Sequence, residues 1–453
     1  MEKGTTVGCA KIAALFDAGT FVETGAFMKR GDNLTGVVCG YGAVNGKLVY
    51  AFAQDSDRKK GAIDALQAEK IAMLYAMAQK NGAPVIGMFD SVGATVADGA
   101  SVLSAYGKLL KVVSDASGII PQIAIINGVC AGMAATVAAM FDVVVTIKNQ
   151  SELYVNAPFL AGKEIGSADY TAENGLASIT AENEGDAVAK AVKLISMLPS
   201  NCEEGVAIED ITDDINRTVS VDGLSGKALV EVLSDAASFL SLGEAYAPEM
   251  ITGIASFGGV TCGVVANDAS VNGGVITCDG AKKAAKLISF CDSFSIPVVT
   301  LVDSIGVATD AEAEGAPLAA QLGKLAMAYA SADTAKIGVV CGKAYGAAFT
   351  LMGSKALGAD MVYALPTSEI SVMAPASAVA FLWNDKITAS TTRQDLVKKW
   401  TNECASPEAA AADGSIDDVV ASAELRQRIC AAVYMLMMKN AGAPARKHCN
   451  LPL

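Results

Sequence analysis

Two glycine turns, one in each half of the chain, are the residues best suited to chemistry. Gly132-Met133 and Gly346-Ala347 each follow an apolar run and open a stretch of small residues, Ala131-Gly132-Met133-Ala134 and Tyr345-Gly346-Ala347-Ala348. A strand-to-helix turn of this kind presents main-chain N–H groups that the helix leaves unpaired, and glycine lets a ligand approach them. A second donor in each half would come from the turn after an apolar run ending in Asp-Ser, near Val92-Gly93 and Ile305-Gly306. Two N–H groups converging on one oxygen form an oxyanion hole. Such a hole suits a thioester whose α-carbon loses a proton or a carboxylate, because negative charge then moves onto the carbonyl oxygen. No charged catalytic side chain is required, which fits a chain with a single histidine, His448, and no evident triad. A purely structural role is the competing reading of any one glycine turn.

The elements that must position these turns are written twice. Gly82 to Ser91 and Ser295 to Ser304 each hold a short apolar run ending in Asp-Ser, 213 residues apart, followed by Gly93 and Gly306. Pro121 to Ala135 resembles Ala335 to Phe349, and Phe141-Asp142 resembles Ala359-Asp360. Upstream, Gly40 to Tyr50 reads as a hairpin with Asn45-Gly46 at its tip, and Gly253 to Val264 takes the same place in the second half. Helical spacing of apolar residues predicts helices over Gln67 to Gln79 and Ala281 to Phe294. Strands alternating with helices imply crossover connections and an α/β fold. The acidic stretch from Cys202 to Gly226 lacks an apolar period, so the domains are read as 1–220 and 221–453, with a helix opening near Lys227.

Composition narrows the function further. With 34 basic and 48 acidic residues the net charge is −14, a poor match for nucleic acid or an anionic membrane surface. Eleven cysteines with no C-x-x-C pair exclude the usual zinc sites, and Cys39, Cys130 and Cys341 read as buried thiols of a reducing compartment. The first eleven residues have no apolar signal core, so a cytoplasmic location is expected. Gly118 to Ile147 is apolar enough to span a bilayer, but Pro121, Asn127, Gly128, Gly132 and Asp142 favour strand, turn, buried helix and strand. Asp90 and Asp303 read as holders of their own turns rather than an acid/base pair. His448 reads as structural or solvated, and Arg446 and Lys447 as a solvated tail with the phosphates of a ligand as the alternative.

With these residues in place, the chain resembles the carboxyltransferase components of biotin-dependent acyl-CoA carboxylases and decarboxylases, the propionyl-CoA carboxylase β-subunit type. The resemblance covers nearly the whole chain. Lys11 to Glu23 is similar to the family's opening helix, Gln122 to Asp142 to its P-C-A-G-G-A region, and Leu198-Pro-Ser-Asn201 to the end of its first domain. Cys291 to Asp303, Gly342 to Pro366 and the tail Pro444 to Leu453 follow it too. The resemblance implies two tandem crotonase-like domains. The first would hold the acyl-CoA, its acyl oxygen near Gly132 and Met133, with Val92, Gly93 and Ala94 alongside. The second would hold biotin, its ureido oxygen near Gly346 and Ala347, with Ile305, Gly306 and Tyr345 alongside; packing is the other reading of Tyr345.

The same resemblance implies a hexamer with sites between the first domain of one subunit and the second domain of another. Biotin would arrive on a separate carrier protein, since no Met-Lys-Met motif occurs, and a biotin carboxylase or a membrane decarboxylase subunit would be a further partner. The acyl group would be of the acetyl, propionyl/methylmalonyl or glutaconyl type. The sequence departs from the family at the turns themselves: Ser91-Val92-Gly93-Ala94-Thr95 stands for Ser-Gly-Gly-Ala-Arg, Met133 for the second glycine, and Ile305-Gly306 for a Pro-Gly-Phe loop. Met133 would be strained if its backbone needs a positive φ. The helix expected over Glu314 to Leu325 keeps Lys324 as its only base. A biotin-independent CoA hydratase or hydrolase, and a non-catalytic subunit of a carboxylase complex, are the rival functions.

Overall fold

The computed structural model describes residues 6–30, 33–161, 165–208, 211, 213–309, 311–388 and 390–439. His448, Arg446 and Lys447 lie outside them. The chain divides into two compact units, Met1–Gly205 and Val206–Leu453. Residues 206–220, on the first side of the boundary read from composition, pack with the second unit: Ile208 bridges Val260 and Val219 joins the second core.

The first unit is an eight-stranded sheet. Its strands are β1 (Val22–Thr24), β2 (Val37–Val44), β3 (Lys47–Gln54), β4 (Val85–Ser91), β5 (Gln122–Ala131), β6 (Val143–Ile147), β7 (Glu152–Tyr154) and β8 (Ile179–Ala181). They lie in the order β1-β2-β3-β4-β5-β6-β8, with β7 on the far end of β5. The helices α1 (Ala65–Asn81), α2 (Ala100–Ala116) and α3 (Met133–Ala139) provide the crossovers before β4, β5 and β6. Asn45 and Gly46 sit at φ +48° and +78°, the paired left-handed conformation that closes a two-residue hairpin between β2 and β3. Asp64 caps α1 by accepting from Leu66 and Gln67 N–H, and Gly82 closes it at φ +57°. Phe52, Phe89 and Phe141 stack edge to face through the core.

The second unit repeats this order strand for strand. Its strands are β9 (Leu240–Ser241), β10 (Met250–Phe257), β11 (Val260–Asn267), β12 (Val298–Ser304), β13 (Lys336–Tyr345), β14 (Met361–Ala364), β15 (Glu369–Ser371) and β16 (Asp418–Val419), with β15 on the far end of β13. Helices α4 (Cys278–Ser293), α5 (Leu318–Ser331) and α6 (Ala347–Leu351) take the places of α1, α2 and α3. The buried Arg426 guanidinium donates to Asp235 Oδ1 at 2.6 Å and to the Leu233 carbonyl at 2.7 Å. The same Asp235 carboxylate accepts from Gly258 and Gly259, tying the carboxy-terminal helix to the β10–β11 turn.

Two expected helices differ in extent. The opening helix spans Val7–Ala13 only, because Asp17 turns to accept from Asn45 and Gly46 N–H and Val22–Thr24 pairs with β2. The expected 314–325 helix is broken at Pro317 into Ala311–Gly315 and α5. Among the described residues no helix is long and apolar enough to cross a membrane, and no group of three or more His, Cys, Asp or Glu is placed to hold a metal ion. Gly118 to Ile147 becomes β5, α3 and β6.

Each unit bends at the end of its central strand. A Cβ at Gly128 would overlap the Asp90 carboxylate, and one at Gly342 the Asp303 carboxylate. Neither glycine has a positive φ, so the requirement there is space alone. Gly128→Ala and Gly342→Ala are each expected to lower unfolding free energy by about 1–3 kcal/mol through overpacking, read from guanidinium denaturation curves.

Candidate active site

In the first unit β4 ends at Asp90-Ser91, where its register with β5 shifts between Phe89 and Ser91. The Asp90 carboxylate pairs with Lys11 at 2.9 Å, tying the strand end to the amino-terminal helix; among the described residues no N–H of its own turn donates to it. The turn that follows is closed internally. Ser91 Oγ accepts from Gly93 N–H at 3.2 Å, and Lys60 O accepts from Val92 N–H at 3.2 Å. In the second unit Ser304 Oγ accepts from Gly306 N–H at 3.2 Å, and Gly273 O from Ile305 N–H at 3.1 Å. Asp303 accepts from Lys343 N–H at 2.9 Å.

The glycine corners face these turns. Gly132 has φ +63° and ψ −132°, and Gly346 has φ +56° and ψ −128°, the same mirror-image extended conformation that a side chain disfavours. The positive φ falls on Gly132 alone, and Met133 begins α3 with no strain. Turn and corner are adjacent: a Cβ on Gly93 would stand 3.4 Å from Ala131 O, and one on Gly306 3.9 Å from Tyr345 O.

The hydrogen bonds decide which N–H groups are available. Gly132 N–H donates to Tyr154 O at 2.9 Å, and Gly346 N–H donates to Ser371 O at 2.9 Å, each closing the short β5–β7 or β13–β15 ladder. Among the described residues, Met133 and Ala347 N–H have no protein acceptor, as expected for the first residue of a helix. At the facing turns Val92, Gly93, Ile305 and Gly306 N–H are engaged, whereas Ala94 and Val307 N–H are not. The N–H groups left without a protein acceptor are therefore those of Met133 and Ala94 in the first unit, and of Ala347 and Val307 in the second. Val307 was not singled out from the sequence; its spacing of 213 residues from Ala94 was the available signal.

Side chains around the corners are mostly apolar. Val92, Met133 and Val155 are exposed in the first unit, and Ile305 and Val372 in the second. Tyr345 is buried and donates its hydroxyl to Glu369; burial and that bond raise its phenol above the ordinary range. In the first unit the tyrosine sits on the other strand. Ala131 faces Tyr154 across the ladder, and burial with the nearby Glu152 carboxylate raises the Tyr154 phenol. The thiols nearest the turns are inert. Burial and the charge of Asp90 push Cys130 up, and burial and Asp303 push Cys341 up, so neither is a thiolate near neutrality. Cys39 is likewise pushed up to about 12 by burial. The site thus offers main-chain donors in an apolar surround, suited to an oxygen that gains negative charge.

Two tandem sheets of this topology, each with a glycine corner, define a duplicated crotonase-like protein. The carboxyl transferase domain model matches residues 1–451, and the chain belongs to that family. It is 34% identical to a methylmalonyl-CoA decarboxylase subunit alpha of Veillonella parvula, covering all of this chain and 94% of that one. It is 33% identical to a propionyl-CoA carboxylase carboxyltransferase subunit of Haloferax mediterranei, with the same coverage. Its structure is similar to the transcarboxylase 12S hexamer core with methylmalonyl-CoA and methylmalonic acid bound: TM-score 0.92, 32% identity, 98% of this chain and 92% of that one. The chain is a biotin-dependent acyl-CoA carboxyltransferase.

The unpaired donors can be removed singly. Proline is accepted at a first helical position and lacks the N–H. Met133→Pro and Ala347→Pro are each expected to keep the circular dichroism spectrum and to lower the carboxyl-transfer rate by about 10²–10³-fold. Met133→Ala, which keeps the N–H, is expected to retain the rate.

Proposed function

We propose that the chain moves a carboxyl group between a short-chain acyl-CoA and biotin borne on a separate carrier protein, with one ligand on each unit. The observation that carries this reading is the repeated pair of unpaired main-chain donors. Met133 and Ala94 serve the thioester oxygen on the first unit, and Ala347 and Val307 serve the ureido oxygen on the second. Val92 and Gly93 back the first turn; Ile305, Gly306 and Tyr345 back the second. Gly132 and Gly346 set the chain direction of the corners without donating.

The residues present fit biotin's ureido group, a neutral acceptor, because the second corner offers neutral donors beside a buried aromatic ring and no competing charge on the donor itself. Biotin, when bound, supplies the nitrogen that carries the carboxyl group. The chain's own part is to hold both oxygens and to stabilise charge on the thioester oxygen as the α-carbon loses its carboxylate or proton. Preorganised donors in an apolar surround do this without a change in protonation of the protein. That matches a site whose nearest thiols and phenol are all held neutral.

The acyl group belongs to the acetyl, propionyl/methylmalonyl or glutaconyl type, and the working form is a hexamer, as in transcarboxylase 12S. A biotin carboxylase or a membrane decarboxylase subunit completes the cycle. A cytoplasmic location is supported by the ten cysteines among the described residues, all free, including buried Cys39, Cys130, Cys262, Cys291 and Cys430. The test is carboxyl transfer from malonyl-CoA, methylmalonyl-CoA and glutaconyl-CoA to free biotin or a biotinylated carrier, read by mass spectrometry. Biotin-dependent loss of carboxylate from one of the three is expected. No turnover of any, by a folded hexamer that binds CoA, would replace this reading with that of a structural subunit awaiting an active relative.

A further inference from the structure

The loop between β3 and α1 contains a conformation that its residues disfavour. Lys59, Lys60 and Gly61 lie consecutively at φ +51°, +52° and +66°. Their counterparts between β11 and α4, Asn272, Gly273 and Gly274, lie at +49°, +68° and +66°. The backbone task is the same in both units: Lys60 O accepts from Val92 N–H, and Gly273 O accepts from Ile305 N–H. The second unit performs it with glycine in the middle and asparagine before it, the residues that tolerate left-handed backbone best. The first unit performs it with two lysines, and nothing in the packing asks for them, since both are exposed.

Their charge is also unspent. Among the described residues neither lysine has a carboxylate partner. The neighbouring cations are committed: Arg58 to Asp55 at 3.5 Å and to the Thr35 carbonyl at 2.8 Å, and Lys11 to Asp90. On a chain of net charge −14, two adjacent cations without a carboxylate partner, one of them (Lys60) bonded through its carbonyl to the site turn, are a local exception. Strain kept at such a place is reason to look for function there.

We propose that Lys59 and Lys60 form a cationic subsite that receives an anionic group of the CoA ester, a phosphate or the acyl carboxylate. The proposal rests on the CoA ester lying on the first unit. It assigns to this loop a recognition role that the second unit, with Asn272-Gly273, does not have.

The test gives the first unit the second unit's residues, in the double variant Lys59→Asn/Lys60→Gly of the full chain. Its melting midpoint is expected to stay level or rise, because glycine relieves the left-handed position. Its KM for methylmalonyl-CoA is expected to rise by about tenfold with kcat and the KM for biotin unchanged, the signature of lost ground-state binding. With methylmalonyl-pantetheine, which lacks the nucleotide phosphates, a persisting rise identifies the acyl carboxylate and its disappearance identifies a phosphate; either supports the subsite. Calorimetry with CoA and methylmalonyl-CoA separates the two levels of the argument. If the parent binds neither, the placement of the CoA ester falls and the subsite with it. If the parent binds both and the folded variant binds and turns over methylmalonyl-CoA equally well, the subsite alone is overturned.

Discussion

Everything at the site depends on the crowding around one strand-end aspartate in each unit. Asp90 and Asp303 stand where the strand stops, and the backbone is packed against them from two directions. Gly61 and Gly274 press on the aspartate's own carbonyl, and Gly128 and Gly342 press on its carboxylate. A Cβ at any of these four positions would require movement. The contacts fix the turn carrying Val92–Ala94 or Ile305–Val307 against the strand that leads into the glycine corner. The turn and the corner are thereby held against each other, with Gly93 beside Ala131 O and Gly306 beside Tyr345 O. Asp90 and Asp303 thus act on this region through shape, by setting how closely the backbone can pack around the strand end.

Which donors remain is then a matter of subtraction. A short extra strand, β7 or β15, pairs back onto the end of the central strand and takes the corner glycine's N–H. The turn consumes two more through its own serine hydroxyl and through the loop before the first helix. What is left is one N–H at the corner and one at the turn, in duplicate. A site made by leaving backbone groups unpaired carries no net charge and does not titrate. Its donors lie at the surface beside apolar side chains, so a ligand that covers them removes water from the same groups. The high phenol and thiol values of Tyr345 and Cys130 come from the burial of those side chains behind the corners.

The repeat, the hairpins, the helices before β4 and β12, and both glycine corners were legible in the sequence, because each is local and recurs at one spacing. Asn45-Gly46 announces its turn, and Asp-Ser followed by glycine announces the strand ends. The exact donors were not legible. Engagement of Gly132 depends on Tyr154, more than twenty residues away, pairing in register with Ala131, and no periodicity over three residues announces such a strand. The short span of the opening helix had a similar cause: Asp17 is recruited by the distant Asn45-Gly46 turn. Pro317 within the 314–325 stretch was a plain local signal for a break. Met133, a departure from the family's second glycine, carries no backbone strain because only the preceding residue is left-handed.

Duplication makes the two units each other's control. Where a constraint is geometric, both keep the same residue type, as at the aspartates, the corner glycines and the serines that close the turns. Where only an interaction is required, the residues move. The tyrosine beside each corner is a case of this: Tyr345 comes from the central strand and Tyr154 from its neighbour, so that Ala131 and Ser371 take the vacated places. The Glu152 and Glu369 positions are common to both. Tyr345 is buried and bonded to Glu369, whereas Tyr154 is half-buried on the added strand, so the two corners are lined differently on one duplicated frame.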